Sequence, residues 1–411
     1  MSLSVNRLLG LSIVGGATLS LFTSLRFSFF GLGELLIIFS FFLTNFSRIP
    51  PINLSNYPFT IFWAVYITAS LMGAFLNLTI LNNQTGTTAK MSLDLFAYIF
   101  IFATAFTLEA NINQKSINPW QLLKGFIILS SIILTILLLI SFYTPSLLGL
   151  ALMYDETSFA PLVTNVHQIT MFYIILPFLC IGILMKEYEI YPEQNSIFKT
   201  ILLLTLFCTT IYMALTAQAT KAVVGFWLGV ACLFLFYFIS KSGIILRSLI
   251  IYSLIICIVF IFYYFDLLRI FSDFFVDADG IDGARAHLYG GALNLISESP
   301  ILGRGPGGHI WKGELYWDVH QTFLTAFIQA GIIGFVSLML LIYRFARDIF
   351  NESIFLASMA PLAIYALGGD ILRRLPVWIL LILIMYAVRH VRLESYKKTD
   401  NTPHQMTTFN T

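Results

Sequence analysis

Charge is what this chain has least of. Asp, Glu, Lys and Arg make up only 11% of its 411 residues, whereas 58% are hydrophobic. Soluble globular chains carry about 25% charged residues, so a surface wholly exposed to water is excluded. The charges nearly cancel at +2, which speaks against the basic face that nucleic-acid binding requires. Cysteine is also scarce: Cys180, Cys208, Cys232 and Cys257 each sit inside an apolar run. Their spacing and neighbours suit neither zinc nor a disulfide framework, so they read as small packing residues. A cleavable leader is not expected. Arg7 precedes an apolar run, but a second run follows almost at once, and the first is read as a membrane helix.

What is present is length and apolarity in repeated blocks. Runs of 17 or more apolar residues, each enough to cross a bilayer, recur along the chain. The 39 Phe and 19 Tyr suit lipid-facing and interfacial positions. Twelve spans are expected, at roughly 8–25, 27–44, 58–81, 93–108, 121–143, 163–185, 200–217, 222–240, 245–265, 320–343, 353–369 and 376–390. The fold class is therefore an all-α polytopic membrane protein. Its organisation reads as helices one to nine over 1–265, a long loop over 266–319, helices ten to twelve over 320–390, and a tail over 391–411. The turn around Arg26 between the first two spans is very short.

Short-loop Lys and Arg residues give the orientation. With the N-terminus cytoplasmic, Arg7, Arg48, Lys115, Lys124, Lys186, Lys199, Lys241, Arg247, Arg344, Arg347, Arg389, Arg392, Lys397 and Lys398 lie inside, fourteen in all. The short outer loops carry five: Arg26, Lys90, Lys221, Arg373 and Arg374. This bias puts both termini, and the 391–411 tail, in the cytoplasm.

The long outer loop opens with Asp273, Asp277, Asp279 and Asp282. Leu288, Ala292, Leu295 and Ile296 then follow at helical spacing, as expected of an amphipathic helix on the membrane surface that Pro300 stops. Gly303, Gly305, Gly307 and Gly308 form a turn region where positive φ and close backbone approach are available. Trp311, Tyr316 and Trp317 mark the interface before span ten.

Polar residues at membrane spans are costly and therefore informative. Glu34, Asn165, His167, Lys221, Arg285, His320, Gln321, Asp370, Arg373 and Arg374 all fall at loops that follow odd-numbered spans, hence on one face. Each has a plainer reading. A lone Arg at a helix end is about twice as often an anchor as a catalytic group. His167 alone suits a helix cap, and Asp370 with Arg373 and Arg374 suits a structural ion pair. Gly331 and Gly334 suit helix packing, and the loop glycines lack the Lys-Ser/Thr ending of a P-loop. Together the set suits chemistry. His is a general base near neutral pH, and Arg and Lys suit phosphate groups. The loop aspartates apart, no acidic cluster offers a divalent-metal cage. A base with cations at a bilayer surface fits group transfer from a lipid pyrophosphate.

The stretch His320-Gln321, nine residues, Gly331, two residues, Gly334 resembles the signature of the O-antigen ligases. Upstream, the run from Gly283 to Gly308, with Arg285 near a helix start and Pro300 before a Gly-rich turn, is similar to that family's loop. The resemblance implies a GT-C-like glycosyltransferase with the long periplasmic loop between helices nine and ten, in the Gram-negative inner membrane. It implies inverting chemistry with neither metal nor cofactor. The implied donor is an undecaprenyl-pyrophosphate-linked polysaccharide and the implied acceptor a sugar hydroxyl of the lipid A core, with membrane lipids around them and no nucleic acid. His320 then matches the base and Arg285 a pyrophosphate-binding residue, the two catalytic positions. Lys221 stands in Gln218-Ala219-Thr220-Lys221-Ala222, where the family commonly has an Arg in a Ser-Arg-Gly/Ala pattern. It keeps the charge and loses the bidentate fork. Gln321, His167, Asp370, Arg373 and Arg374 complete the expected substrate-binding set. An O-antigen polymerase is the alternative, sharing fold and donor but not acceptor. A secondary transporter would show internal repeats and mid-membrane charges, and a scaffold subunit would not need His320 among cations.

Overall fold

The computed structural model describes residues 2–27, 30–46, 49–79, 88–154, 158–163, 166–190, 196–217, 219–241, 284–312, 316–319 and 321–400. The expected span at 245–265 and the acidic opening of the long loop lie outside them. Among the described residues eight helices are long and apolar enough to cross a membrane, and three shorter apolar ones accompany them.

In chain order, α1 (Ser2–Leu19) leads into a hairpin of β1 (Arg26–Phe27) and β2 (Phe30–Gly31), then α2 (Leu32–Leu43). Next come α3 (Pro58–Thr79), α4 (Thr88–Asn113) and α5 (Pro119–Ser141), a second small hairpin β3 (Ser146–Leu147) and β4 (Leu150–Ala151), α6 (Val166–Ile190), α7 (Ile197–Thr216) and α8 (Thr220–Lys241). The long-loop region supplies α9 (Ala284–Glu298) and a third hairpin of β5 (Ile310–Lys312) and β6 (Tyr316–Asp318), in which Trp311 pairs with Trp317. The chain closes with α10 (Thr322–Ile349), α11 (Ser353–Ala357), α12 (Met359–Gly368) and α13 (Leu375–Asp400).

The ends of several helices are fixed by side chains. Asn118 accepts from the amides of Trp120 and Gln121, with Pro119 at the first helical position of α5, where its missing N–H costs nothing. Buried Glu109 accepts from the Phe59 and Thr60 amides and so caps α3 from a neighbouring helix. Around these ends an apolar core runs through the bundle, with Trp63, Trp120 and Trp378 wholly enclosed. Trp63 meets Trp378 edge-on at 4.8 Å between centroids, a favoured aromatic geometry.

Three local expectations are corrected. The turn at Arg26 is a two-stranded hairpin; α1 begins earlier than expected and stops at Leu19, and α2, with 12 residues, is shorter than its apolar run. The last helix extends to Asp400, well past 390, which takes the start of the 391–411 tail into the helix. Most consequential, α10 does not run unbroken with Gly331 as a packing position. Gly331 adopts φ 59°, ψ −161° and breaks the helix.

Candidate functional site

The break at Gly331 exists because the Gly-rich turn is wedged against it. Arg304 N donates to the Ile328 carbonyl at 2.6 Å, Gly305 N to Gln329 O at 3.0 Å, and Ile332 N to Pro300 O at 2.9 Å. The backbone groups freed by the kink are thus satisfied by the turn, as apolar surroundings demand. The approach is too close for side chains. A Cβ on Gly331 would lie 2.1 Å from the Ile301 carbonyl oxygen, and one on Gly73 of α3 would lie 2.4 Å from that of Leu302. Gly303, Gly305 and Gly307 all take positive φ, as the sequence leads one to expect. Asn77 donates to the Gly303 carbonyl at 3.1 Å and ties α3 to the same turn. Arg304 is buried, with Nη1 3.2 Å from Glu298 Oε2, and burial pushes its guanidinium below the ordinary arginine value, with Glu298 opposing.

Beneath the turn lies a buried polar hub. Asp94 of α4 accepts from Gly307 N at 3.1 Å, from Gln329 Nε2 at 3.0 Å and from Arg373 Nη1 at 3.1 Å. His309 Nδ1 stands 3.6 Å from the same carboxylate and within hydrogen-bond reach of Gln329 Nε2. The Tyr66 and Tyr98 hydroxyls both donate to Gln329 Oε1. Asp94, His309 and Gln329 are each at most 1% exposed. One carboxylate therefore couples α4, the turn, the kinked α10 and the segment before α13.

Arg373 carries the hub outward. Its Nε reaches Asp370 Oδ2 at 3.2 Å, and Asp370 also accepts from Leu372 N. Arg373, Arg374 and Asp370, with Arg26 and Gln168, line one polar cavity of about 280 Å³. Arg26 is held by Glu34 at 2.8 Å, and Gln168 accepts from Thr23 at 2.6 Å. The adjoining Gly368–Gly369 backbone gathers two more elements. Lys221 Nζ donates to Gly368 O at 2.6 Å, and Thr322 Oγ1 donates to Gly369 O at 2.8 Å.

Of the expected site residues, Asp370, Arg373 and Arg374 meet in one cavity, and Lys221 is tied to the segment that carries them. Gln321 is the N-cap of α10, its side chain accepting from Leu324 N. His167 is exposed in the first turn of α6, while its neighbour Gln168 lines the cavity. Arg285 falls in the first turn of α9, its side chain outside the described set, and His320 lies outside the described residues. The residue after it caps α10, whose second residue, Phe323, follows the Thr322 that bonds the Gly369 carbonyl. Asp94, Gln329 and His309 were not among the expected residues. The signal for Asp94 was an acid inside the apolar run 93–108. Gln329 was a polar residue in mid-span ten, and both are features that mark function or coupling in a membrane.

Residues 203–339 match the family model described as O-Antigen ligase. The match covers a third of the chain, from α7 to α10, and takes in Lys221, Arg285, His320, Gln321, the Gly-rich turn and the kink. No curated protein matches the chain significantly. The chain thus has several helices long and apolar enough to cross a membrane, and a third of its length is similar to the O-antigen ligases.

Proposed function

We propose that the chain moves a polysaccharide from undecaprenyl pyrophosphate to a sugar hydroxyl of the lipid A core, on the periplasmic face of a Gram-negative inner membrane. The observation that supports this most is the convergence of Arg26, Arg373 and Arg374 on one polar cavity, at the bundle end where Lys221 and the start of α10 are anchored. Those residues are scattered along the whole chain. Their gathering suits an anionic leaving group, since guanidinium groups pair with phosphate oxygens in a fixed fork.

The chemistry follows from that placement. A base takes the proton of the acceptor hydroxyl, whose oxygen attacks the anomeric carbon as the bond to the pyrophosphate oxygen breaks. The configuration at that carbon inverts, and undecaprenyl pyrophosphate leaves with the bonding pair. His320 is the base on the resemblance stated above. It precedes the N-terminus of α10, where the helix dipole favours negative charge. Arg285 and Lys221 join the cavity arginines in stabilising charge that grows in the transition state. Asp94 and Asp370 hold Arg373 in place, and on this reading side chains supply the cations without a metal.

The test is direct transfer. Purified protein in detergent, given lipid-linked polysaccharide and lipid A core, should form core-linked product in excess EDTA. Arg374→Ala should cut the rate at unchanged protein level. Product formation that stops in EDTA and returns with Mg²⁺ would reject the metal-free chemistry. Lys221, where the ligases commonly have Arg, favours a second reading as the related polymerase, which extends the polysaccharide on the lipid instead.

A further inference from the structure

At the bundle end opposite the arginine cavity, α3 and the second half of α10 enclose an apolar groove of about 560 Å³. Pro58, Phe62, Ile333, Val336 and Leu340 form its walls and Arg344 closes one end. Val336 is 45% and Leu340 63% exposed, so the groove opens to the bundle exterior rather than into the core. Along α10 it runs from Ile332, just past the kink, to Arg344. Those thirteen residues rise about 18 Å from first to last, close to half of a hydrocarbon core about 30 Å thick. The groove is thus as long as one leaflet is deep.

Its closed end is cationic. Asp348 is the carboxylate there, and four arginines surround it. Arg389 Nε is 3.1 Å from Oδ2, Arg347 Nη2 3.7 Å from Oδ1 and Arg344 Nε 4.0 Å from Oδ2, while Arg392 donates to the Asp348 carbonyl at 2.9 Å. Among the described residues, three of these guanidinium groups share the single Asp348 carboxylate. Arg344 spends Nη2 on the Ser55 carbonyl, but its Nε has no hydrogen-bond partner among the described residues. Arg347 has its side chain 59% exposed.

We propose that this groove holds one acyl chain of an anionic glycerophospholipid, with the phosphodiester at Arg344 and Arg347. The walls offer the chain an apolar path one leaflet deep, and the surplus guanidinium charge selects an anionic headgroup. The site lies away from the arginine cavity and does not depend on the reaction proposed for it. Plain anchoring of basic residues at a membrane interface would use the arginines but not the groove, and the two can be separated.

The full chain, purified in detergent and stripped of lipid, is titrated with phosphatidylglycerol and with phosphatidylcholine of the same acyl chains, and bound lipid is counted by native mass spectrometry. Phosphatidylglycerol should bind about tenfold more tightly, because both lipids bring the phosphodiester but the choline cation of phosphatidylcholine opposes the surplus guanidinium charge. The double substitution Arg344→Gln, Arg347→Gln should remove that preference. Val336→Trp places an indole in the groove from a half-exposed position, so the fold is retained. It should weaken phosphatidylglycerol binding with every arginine intact. Equal binding of the two lipids by the unaltered protein overturns the proposal. So does unchanged phosphatidylglycerol binding by Val336→Trp, which would leave only surface arginines as the contact.

Discussion

Arg373 Nη1 meets Asp94 Oδ1 at 3.1 Å across 279 positions of sequence. The contact joins a cavity-lining cation to a carboxylate that also holds the Gly-rich turn and the kinked helix. The geometry of the cavity and the buried hub are therefore one structure, and a change in either should be felt in the other.

Asp94→Ala removes an acceptor that Gly307, Gln329 and Arg373 share. Removing one partner of a buried pair costs about 3–5 kcal/mol. Because the Arg373 side chain is a third exposed, water recovers part of that, and the loss should fall at the lower end. Asp94→Ala should lower the thermal midpoint in detergent and sharply reduce transfer. Asp94→Asn, which keeps an acceptor oxygen, should fall between it and the unaltered protein. A midpoint unchanged in Asp94→Ala would show that the turn and Arg373 are held by other contacts.

The glycines offer a comparison within one protein. Gly331→Ala and Gly149→Ala both place a Cβ at positive φ, which costs about 1–2 kcal/mol. At Gly149 nothing lies within 4 Å of the new atom, whereas at Gly331 it meets the Ile301 carbonyl. Gly149→Ala should therefore accumulate and work almost normally. Gly331→Ala should lose folded protein, read as the monodisperse fraction on size exclusion. Equal yields would mean that the turn can withdraw from the kink.

How much of this was legible in the sequence depends on the scale. Apolar runs mark helices because crossing lipid requires a length of apolar chain, and all the described spans fall where such runs do. The glycines at 303, 305 and 307 announced a turn, but not what it would pack against. Gly331 read as a packing residue because the apolar pattern of α10 continues unbroken through it. The kink comes from a segment that inserts from elsewhere in the chain. Asp94 hid in a run whose neighbours are apolar, since the partners that make its burial tolerable, Gly307, Gln329 and Arg373, all lie far away in sequence. Arg373, Arg374 and Asp370 were visible because they stand in a loop.

Lys221 gives one hydrogen bond to the Gly368 carbonyl at 2.6 Å. A net hydrogen bond from a charged group is worth about 1.5–3 kcal/mol, here reduced because the residue is only part-buried. Lys221→Met keeps the stem and drops the donor, so both stability and transfer should decline. Lys221→Arg keeps a donor and the charge and should restore most of the transfer rate. If Lys221→Met loses stability but keeps its full rate per folded molecule, the residue serves only to hold the Gly368–Gly369 segment.

The final prediction separates ligase from polymerase through His320. The residue directly precedes the Gln321 cap of α10, and Thr322 on its far side bonds the Gly369 carbonyl next to Asp370. His320→Ala takes away the proposed base while leaving both of those bonds, so the protein should still insert and accumulate. A general base contributes roughly 10²–10⁴-fold in rate, enough to empty the cell surface of long polysaccharide. The products then decide between the two enzymes. A disabled ligase leaves bare lipid A core while long chains collect on undecaprenyl pyrophosphate. A disabled polymerase leaves core that carries a single repeat unit, because attachment still proceeds. Gel analysis of lipopolysaccharide beside an assay of the lipid-linked pool reads both outcomes. Bare core with accumulated chains is expected. Core bearing one repeat would transfer the assignment to the polymerase, and an unchanged ladder would take His320 out of the mechanism.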